Sequence, residues 1–196
     1  CTSGNQLPSS ISTVSWQTFN YFRIGEGSHT GSGLYNFGAG NPSVKSKNST
    51  YRSLGSLNDA THRAIQYGVL IENNTGGTIT ALDVSYTGKV WRVGSSATAI
   101  DTLHFSYVVL TNPSNVRQLR DRTKFLGDIR ARNVASLDFH TPSTMTAASS
   151  STIASPIAGD DANNQTPLSA TLPVTIQPGQ VVMLRWSDED EDEYED

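Results

Sequence analysis

Leu103, Phe105, Tyr107 and Val109 recur at every second position, with His104 and Ser106 between them. A period of two puts alternate side chains on opposite faces of an extended strand; on a helix the same four would scatter around the circumference. The pattern recurs along the chain. Residues 63–71 are β-rich and end at the turn cluster Asn73-Asn74-Thr75-Gly76-Gly77. Residues 78–86 alternate, with a change of face around Ile79, Ala81 and Val84 that suits a bulge. Thr87-Gly88 reads as a turn, and Lys89-Val90-Trp91-Arg92-Val93 as the next alternating run. Further strands are expected over 134–139, 168–176 and 181–186, with Gln177-Pro178-Gly179-Gln180 turning between the last two. Near the start, residues 14–24 carry Trp16, Phe19, Tyr21 and Phe22. About nine or ten strands with short turns and almost no helical pattern predict an all-β fold. The expected form is an antiparallel β-sandwich, jelly-roll-like. Two stretches, 115–132 and 141–165, break the pattern, and long irregular connections of this kind are often functional.

The 196 residues suit one domain that folds without disulfides. The expected division is an N-terminal extension or first strand over 1–30, the sandwich over 31–187, and an acidic loop or tail over 188–196. Charged residues make up only 16% of the chain, and Ser, Thr, Gly and Asn are abundant, as suits a secreted β-protein. Eight of the 18 acidic side chains lie in the final ten residues, SDEDEDEYED. The other 10, set against 14 basic residues, leave the body mildly basic. The single cysteine, Cys1, can form no internal disulfide. It reads either as the lipidated first residue of a mature bacterial lipoprotein or as a thiol exposed by processing. No apolar run approaches the ~18 residues that span a bilayer, so no transmembrane segment is expected.

Three side-chain groups carry candidate chemistry. Asp188, Asp190 and Asp192, with the neighbouring Glu residues, offer the oxygen ligands that Ca²⁺ prefers; Asp160 and Asp161, beside Asn163 and Asn164, form a second oxygen cluster. The alternative for both is a solvated polar loop. The basic excursion holds Arg117, Arg120, Arg122, Lys124, Arg130 and Arg132. Only Phe125 accompanies it as a stacking aromatic, which argues against nucleic acid and leaves anionic glycans, the acidic end of a neighbouring copy, or plain solvent. Trp16, Tyr21 and Tyr35 are the candidate surface aromatics for a sugar face. His29, His62, His104 and His140 lack metal spacing, and no nucleophile motif occurs, so no enzyme is expected. Sequons stand at Asn48, Asn73 and Asn164, and Asp101-Thr102-Leu103 resembles a bacterial O-glycosylation acceptor.

A series of short segments resembles a β-sandwich module that recurs in large secreted and surface proteins of bacteria, often beside sorting domains, adhesin repeats or extracellular hydrolases. The matching pieces include Gly33-Leu34-Tyr35-Asn36-Phe37-Gly38, Arg52-Ser53-Leu54-Gly55-Ser56-Leu57 and Glu72-Asn73-Asn74-Thr75-Gly76-Gly77-Thr78-Ile79-Thr80. Val84-Ser85-Tyr86-Thr87-Gly88-Lys89-Val90-Trp91-Arg92, Asp101-Thr102-Leu103-His104-Phe105-Ser106-Tyr107, Leu137-Asp138-Phe139 and Leu184-Arg185-Trp186-Ser187-Asp188 follow in order. Together they cover most of residues 33–188. The resemblance implies a sandwich without a settled enzymatic activity, with Trp91 and Trp186 inside strands, and so in the core. Three departures stand out: a longer 115–132 stretch, a first thirty residues without counterpart, and the absence of the Gly-Leu-Ala-Ile-Asp-Asp-Phe strand that normally follows the acidic loop.

The expectation is therefore a non-enzymatic extracellular or cell-surface module of a bacterial protein, working by adhesion or glycan binding. The alternative is a structural subunit of a fibre, sheath or appendage, assembled through sandwich contacts and strand addition. A weaker alternative is an accessory domain of a secreted hydrolase. If the final strand is missing or supplied by a partner, residues 181–186 present an open edge.

Overall fold

The computed structural model describes residues 11–12, 22–25, 31–38, 53–58, 64–93, 101–110, 130–142 and 155–189. Among them there is no α-helix, and no helix long and apolar enough to cross a membrane. The strands are β1 (Ile11–Ser12), β2 (Phe22–Gly25), β3 (Gly33–Phe37), β4 (Ser53–Leu57), β5 (Ala64–Glu72), β6 (Ile79–Lys89) and β7 (Arg92–Val93). They continue as β8 (Thr102–Leu110), β9 (Arg132–Asn133), β10 (Phe139–His140), β11 (Ser155–Pro156), β12 (Gln165–Ile176) and β13 (Val181–Glu189). Five of the thirteen are two-residue bridges, which accounts for the excess over the nine or ten expected.

The principal sheet has the order β1-β5-β13-β8-β10, with β9 also on β8, and all its pairings are antiparallel. A two-stranded ribbon, β6 with β12, faces it. The sheet β2-β3-β4 completes the facing layer, and its β2–β3 pairing is parallel. Segments from the first thirty residues thus enter both layers: β1 lies on β5, and β2 on β3.

Register explains the core. Tyr67, Trp186 and Phe105 stand opposite one another on β5, β13 and β8, so they form a row on one face. Trp186 stacks on Tyr67 (6.0 Å between centroids) and meets Phe105 edge-on (5.3 Å). Val182 and Leu184 continue the same face, and Val84, Leu172, Val174 and Ile176 close over it from the ribbon. Trp91 is buried, stacked on Phe37, but lies between β6 and β7 rather than inside a strand, and Trp186, inside β13, is half-buried.

Tyr86 joins the layers. Its ring meets Trp186 at 88°, and its hydroxyl donates to the Leu137 carbonyl. Burial pushes the Tyr86 phenol up to about 12, against the lowering effect of the neighbouring Trp186 indole and with Asp138 adding to the rise. Burial, then the Asp188 carboxylate, raises Tyr67 further still.

Several local expectations need correction. Residues 134–139 are not a strand. They form a 3-10 turn, Ala135–Leu137, that drives Leu137 fully into the core between the bridges β9 and β10. The Asp138 carboxylate there accepts the Phe105 backbone N–H (2.8 Å), standing in for a ladder carbonyl. Thr87-Gly88 is no turn either: β6 runs through it, because Gly88 leaves room for the Phe139 ring, which an added Cβ would meet at 2.1 Å. Residues 181–186 have no open edge, since β13 lies between β5 and β8 over nearly its whole length. The expected bulge is present: Pro173 faces Ala81 but Ile176 faces Ile79, so β12 carries an extra residue there. That offset lets Ile79 reach the core out of phase with Leu82, Val84 and Tyr86.

Asn73, which is buried, ties the end of β5 to the β12–β13 turn. Its amide donates to the Ile176 (2.7 Å) and Gly77 (2.9 Å) carbonyls, its side-chain oxygen accepts from Thr75, and its backbone exchanges bonds with Gly179 and Gln180. Gly179 turns there with φ +79.

Two measurements check this account. Gly88→Ala should lower the urea-unfolding free energy by about 1–3 kcal/mol through overpacking against Phe139, while Gly76→Ala, with nothing within 4 Å, should change it by under about 0.5 kcal/mol. Tyr86 and Tyr67 have folded pKa values above the free value of 10.0, so their contribution to stability is complete below pH 10 and is lost as pH rises through the folded values. An absorbance titration of tyrosinate should leave at least two of the seven tyrosines protonated past pH 10 until the chain unfolds.

Candidate functional site

A cleft of about 570 Å³ opens where β8 and β9 pass the bulged end of β12, within the size range of small-molecule sites. Tyr107, Val108, Val109 and Val174 form its floor; Arg130 and Arg132 form one wall, and Thr80, Pro173 and Thr175 the other. The floor is buried or half-buried and the walls are exposed. Local structure dictates this arrangement. Arg132 stands opposite Tyr107 in the β8–β9 register, so the two share a face, and Arg130, in the turn just before β9, also lines the cleft. On the opposite wall Pro173 and Thr175 stand at the β12 bulge. Pro173 and Pro167 remove backbone donors from β12, whose described partner is β6 alone, so this edge resists further strand pairing. The Tyr107 hydroxyl donates to the Pro173 carbonyl (3.2 Å), spanning the two layers beneath the cleft.

Among the described residues the lining includes two guanidinium groups, two threonine hydroxyls and no carboxylate. Such a set favours an anionic or polyhydroxylated ligand: arginine donates in a planar fork to carboxylate or sulfate, and threonine both donates and accepts.

The residues expected to bind distribute differently. Tyr35 is not a surface aromatic. It is fully buried, stacked on Phe37 at 5.0 Å, with its hydroxyl donating to the Gly31 carbonyl. β3 is covered on both faces, Leu34 by the principal sheet and Tyr35 and Phe37 by Trp91, so a two-fold alternation could not reveal an outer side. Trp16, Tyr21, Arg117, Arg120, Arg122, Asp190 and Asp192 lie outside the described residues. Arg130 and Arg132, from the same basic excursion, are the ones placed at a cleft.

Asp188 is not part of a loop. It sits inside β13, buried, and its carboxylate accepts from Ser56 (2.5 Å) and Asn58 (3.0 Å). Those bonds fasten the small sheet to the principal one and occupy the oxygens that a cation would take. Asp161 accepts the backbone N–H of Asn163 (2.9 Å) as the cap of a 3-10 turn, Ala162–Asn164, and Asp160 is exposed beside it. Among the described residues no three His, Cys, Asp or Glu side chains converge on a possible metal position.

The second polar surface lies on the far face of the principal sheet. His104 pairs with Asp138 at 3.2 Å, and Ser187 is its cross-strand neighbour, a placement that suggests a catalytic set. The hydroxyl is committed elsewhere, however: it donates to Glu189 (2.8 Å), accepts from Gln66 (2.9 Å) and is only 5% exposed. Among the candidate modification sites, Thr102 is buried in β8 against His140, Asn73 is spent on its loop, and Asn164 is buried with its amide on the Ala158 carbonyl; Asn48 lies outside the described residues.

No protein-family description, curated protein or solved structure matches this chain.

Tyr107→Phe removes the bond spanning the layers and should destabilise the protein by about 1 kcal/mol in chemical unfolding. The Pro173–Thr175 edge should also exchange its amide hydrogens faster. A variant with unchanged exchange there would show that the hydroxyl does not hold the cleft wall.

Proposed function

We propose that this chain is a non-enzymatic extracellular β-sandwich module of a bacterial surface protein, and that it works in adhesion by holding a glycan in the cleft between β9 and β12. The observation that carries this reading is the cleft itself: two arginines and two threonines stand around a pre-formed floor at the sandwich edge. Loops and rims positioned by a rigid sandwich are where such modules place recognition. The polar, weakly charged composition and the similarity of residues 33–188 to a recurrent surface-protein module support the same location.

The fibre-subunit alternative is less well supported by the geometry. The edge that motivated it, residues 181–186, has strands on both sides, and the ribbon's β12 edge carries two prolines.

A glycan array probed in parallel with Ca²⁺ and with EDTA tests the proposal. Binding to a defined subset of glycans in both arms is expected, because no carboxylate lines the cleft among the described residues. Absence of binding in either arm, together with ordered filaments in negative-stain micrographs of native material, would replace adhesion by assembly.

A further inference from the structure

We infer that an Asn-linked sugar at Asn73 and the native fold exclude one another, and that this chain therefore folds along a route on which no Asn-glycosyl transfer acts on nascent chains. The inference is independent of the cleft between β9 and β12. Asn73-Asn74-Thr75 and Asn164-Gln165-Thr166 both carry the Asn-x-Thr acceptor pattern. Transfer replaces one amide hydrogen. A bond forms between Nδ2 and the anomeric carbon of an activated sugar diphosphate, the diphosphate leaves with the electron pair of the broken bond, and the amide proton is lost to a base. The product keeps a single N–H and carries a bulky hydrophilic group that must reach water.

Asn73 can spare neither hydrogen. Its Nδ2 donates to the Ile176 carbonyl (2.7 Å) and to the Gly77 carbonyl (2.9 Å), so both amide hydrogens are in use, and the residue is only 2% exposed. Its Oδ1 accepts from the Thr75 N–H (2.9 Å) and hydroxyl (2.6 Å), which holds the amide in that orientation. The backbone is fixed as well, through Gln180 (2.9 Å) and Gly179 (2.8 Å). Turning the side chain out to solvent gives up all four side-chain bonds and leaves the Ile176 carbonyl buried without that donor. Asn164 repeats the case. It is 3% exposed, its Nδ2 donates to the Ala158 carbonyl (2.8 Å), and its backbone carbonyl accepts the Val90 N–H (2.9 Å). The loop it closes lies against Trp91, whose ring an added Cβ at Gly159 would meet at 2.5 Å, so Asn164 swings out only if that loop lifts off the indole.

Sequence separation decides which event comes first. Ile176 lies 103 residues beyond Asn73. At about 5–20 residues per second, about 5–20 s of synthesis separate Asn73 from its partner. Over that interval the sequon is an open acceptor, because the bonds that later enclose it do not yet exist. A chain made beside an Asn-glycosyl transferase is therefore modified at Asn73 before it folds, whatever the stability of the final state. Core asparagines in acceptor sequons are compatible with export only where transfer is absent or follows folding. The bacterial surface location proposed above is in keeping with such a route.

The test is cell-free translation of the whole chain, behind a secretory leader, into glycosylating microsomes, with and without an excess of an Asn-x-Thr tripeptide that competes for transfer. Trypsin digestion after detergent release reads folding, and peptide mass spectrometry separates Asn73 and Asn164 from the third sequon, Asn48. With the competitor, unmodified chains should resist trypsin. Without it, the resistant fraction should fall at least about 10-fold, and every chain bearing sugar at Asn73 should be digested. Trypsin-resistant chains that carry a sugar at Asn73 would overturn the exclusion. An undiminished yield of resistant, unmodified chains without the competitor would show that folding outruns transfer, and the inferred route would fall. If the chain resists trypsin in neither arm, a second measurement decides: a soluble Asn-glucosyltransferase with UDP-glucose, applied to the purified protein before and after thermal unfolding. Glucose should appear on Asn73 only after unfolding, and its transfer to Asn73 of the native protein would sink the inference.

Discussion

The contact of Tyr86 with Trp186 is the joint on which the two layers depend. Trp186 is set by register in the middle of an aromatic row, between Tyr67 and Phe105. Tyr86 approaches from the ribbon, sets its ring edge-on against the indole and donates to the Leu137 carbonyl. A buried phenol without a partner would cost as much as its ring contributes; here the hydroxyl proton is taken by a carbonyl. Leu137 can offer its carbonyl only because the chain leaves the sheet there in a 3-10 turn, and that turn keeps β8 satisfied through the Asp138 carboxylate. The break in the strand and the tyrosine that seals the sandwich are parts of one arrangement.

The cleft is a consequence of the same packing. One extra residue in β12 rephases the ribbon so that Ile79 still reaches the core, and the displaced Pro173–Thr175 edge becomes a wall. The facing wall exists because β9 is a two-residue bridge that places Arg132 beside Tyr107. Proline on this edge of β12, whose described partner is β6 alone, discourages a further strand. An irregularity that shortens pairing at a sheet edge is thus what borders this recess.

Much of the fold was readable from alternation. The strands around 64–72, 102–110, 165–176 and 181–189 coincide with the apolar patterns, and the bulge opposite Ile79 lies where the pattern changes face. The errors have a common cause. Tyr35 looked like a surface ring because β3 is sandwiched on both sides, and a strand covered twice has no polar face to mark it. Asp188 looked like the start of a charged loop because a carboxylate seldom ends a buried strand; Ser56 and Asn58, some 130 residues earlier, make that position tolerable. The Arg130-x-Arg132 spacing was visible, but nothing local distinguished it from the other arginines of the excursion.

The sequence by itself determined that the chain is all-β, where most of its long strands lie, and that its charge is divided between a mildly basic body and an acidic run. Those properties depend on neighbours within a few residues: a period of two, a turn-forming Gly or Asn, a cluster of carboxylates. Only the tertiary structure decided which strand lies beside which, that β13 is central rather than an edge, and that Arg130 and Arg132 line a cleft. Those facts depend on register between segments far apart in the chain, and a shift of one residue would send Tyr107, Trp186 and Arg132 to opposite faces.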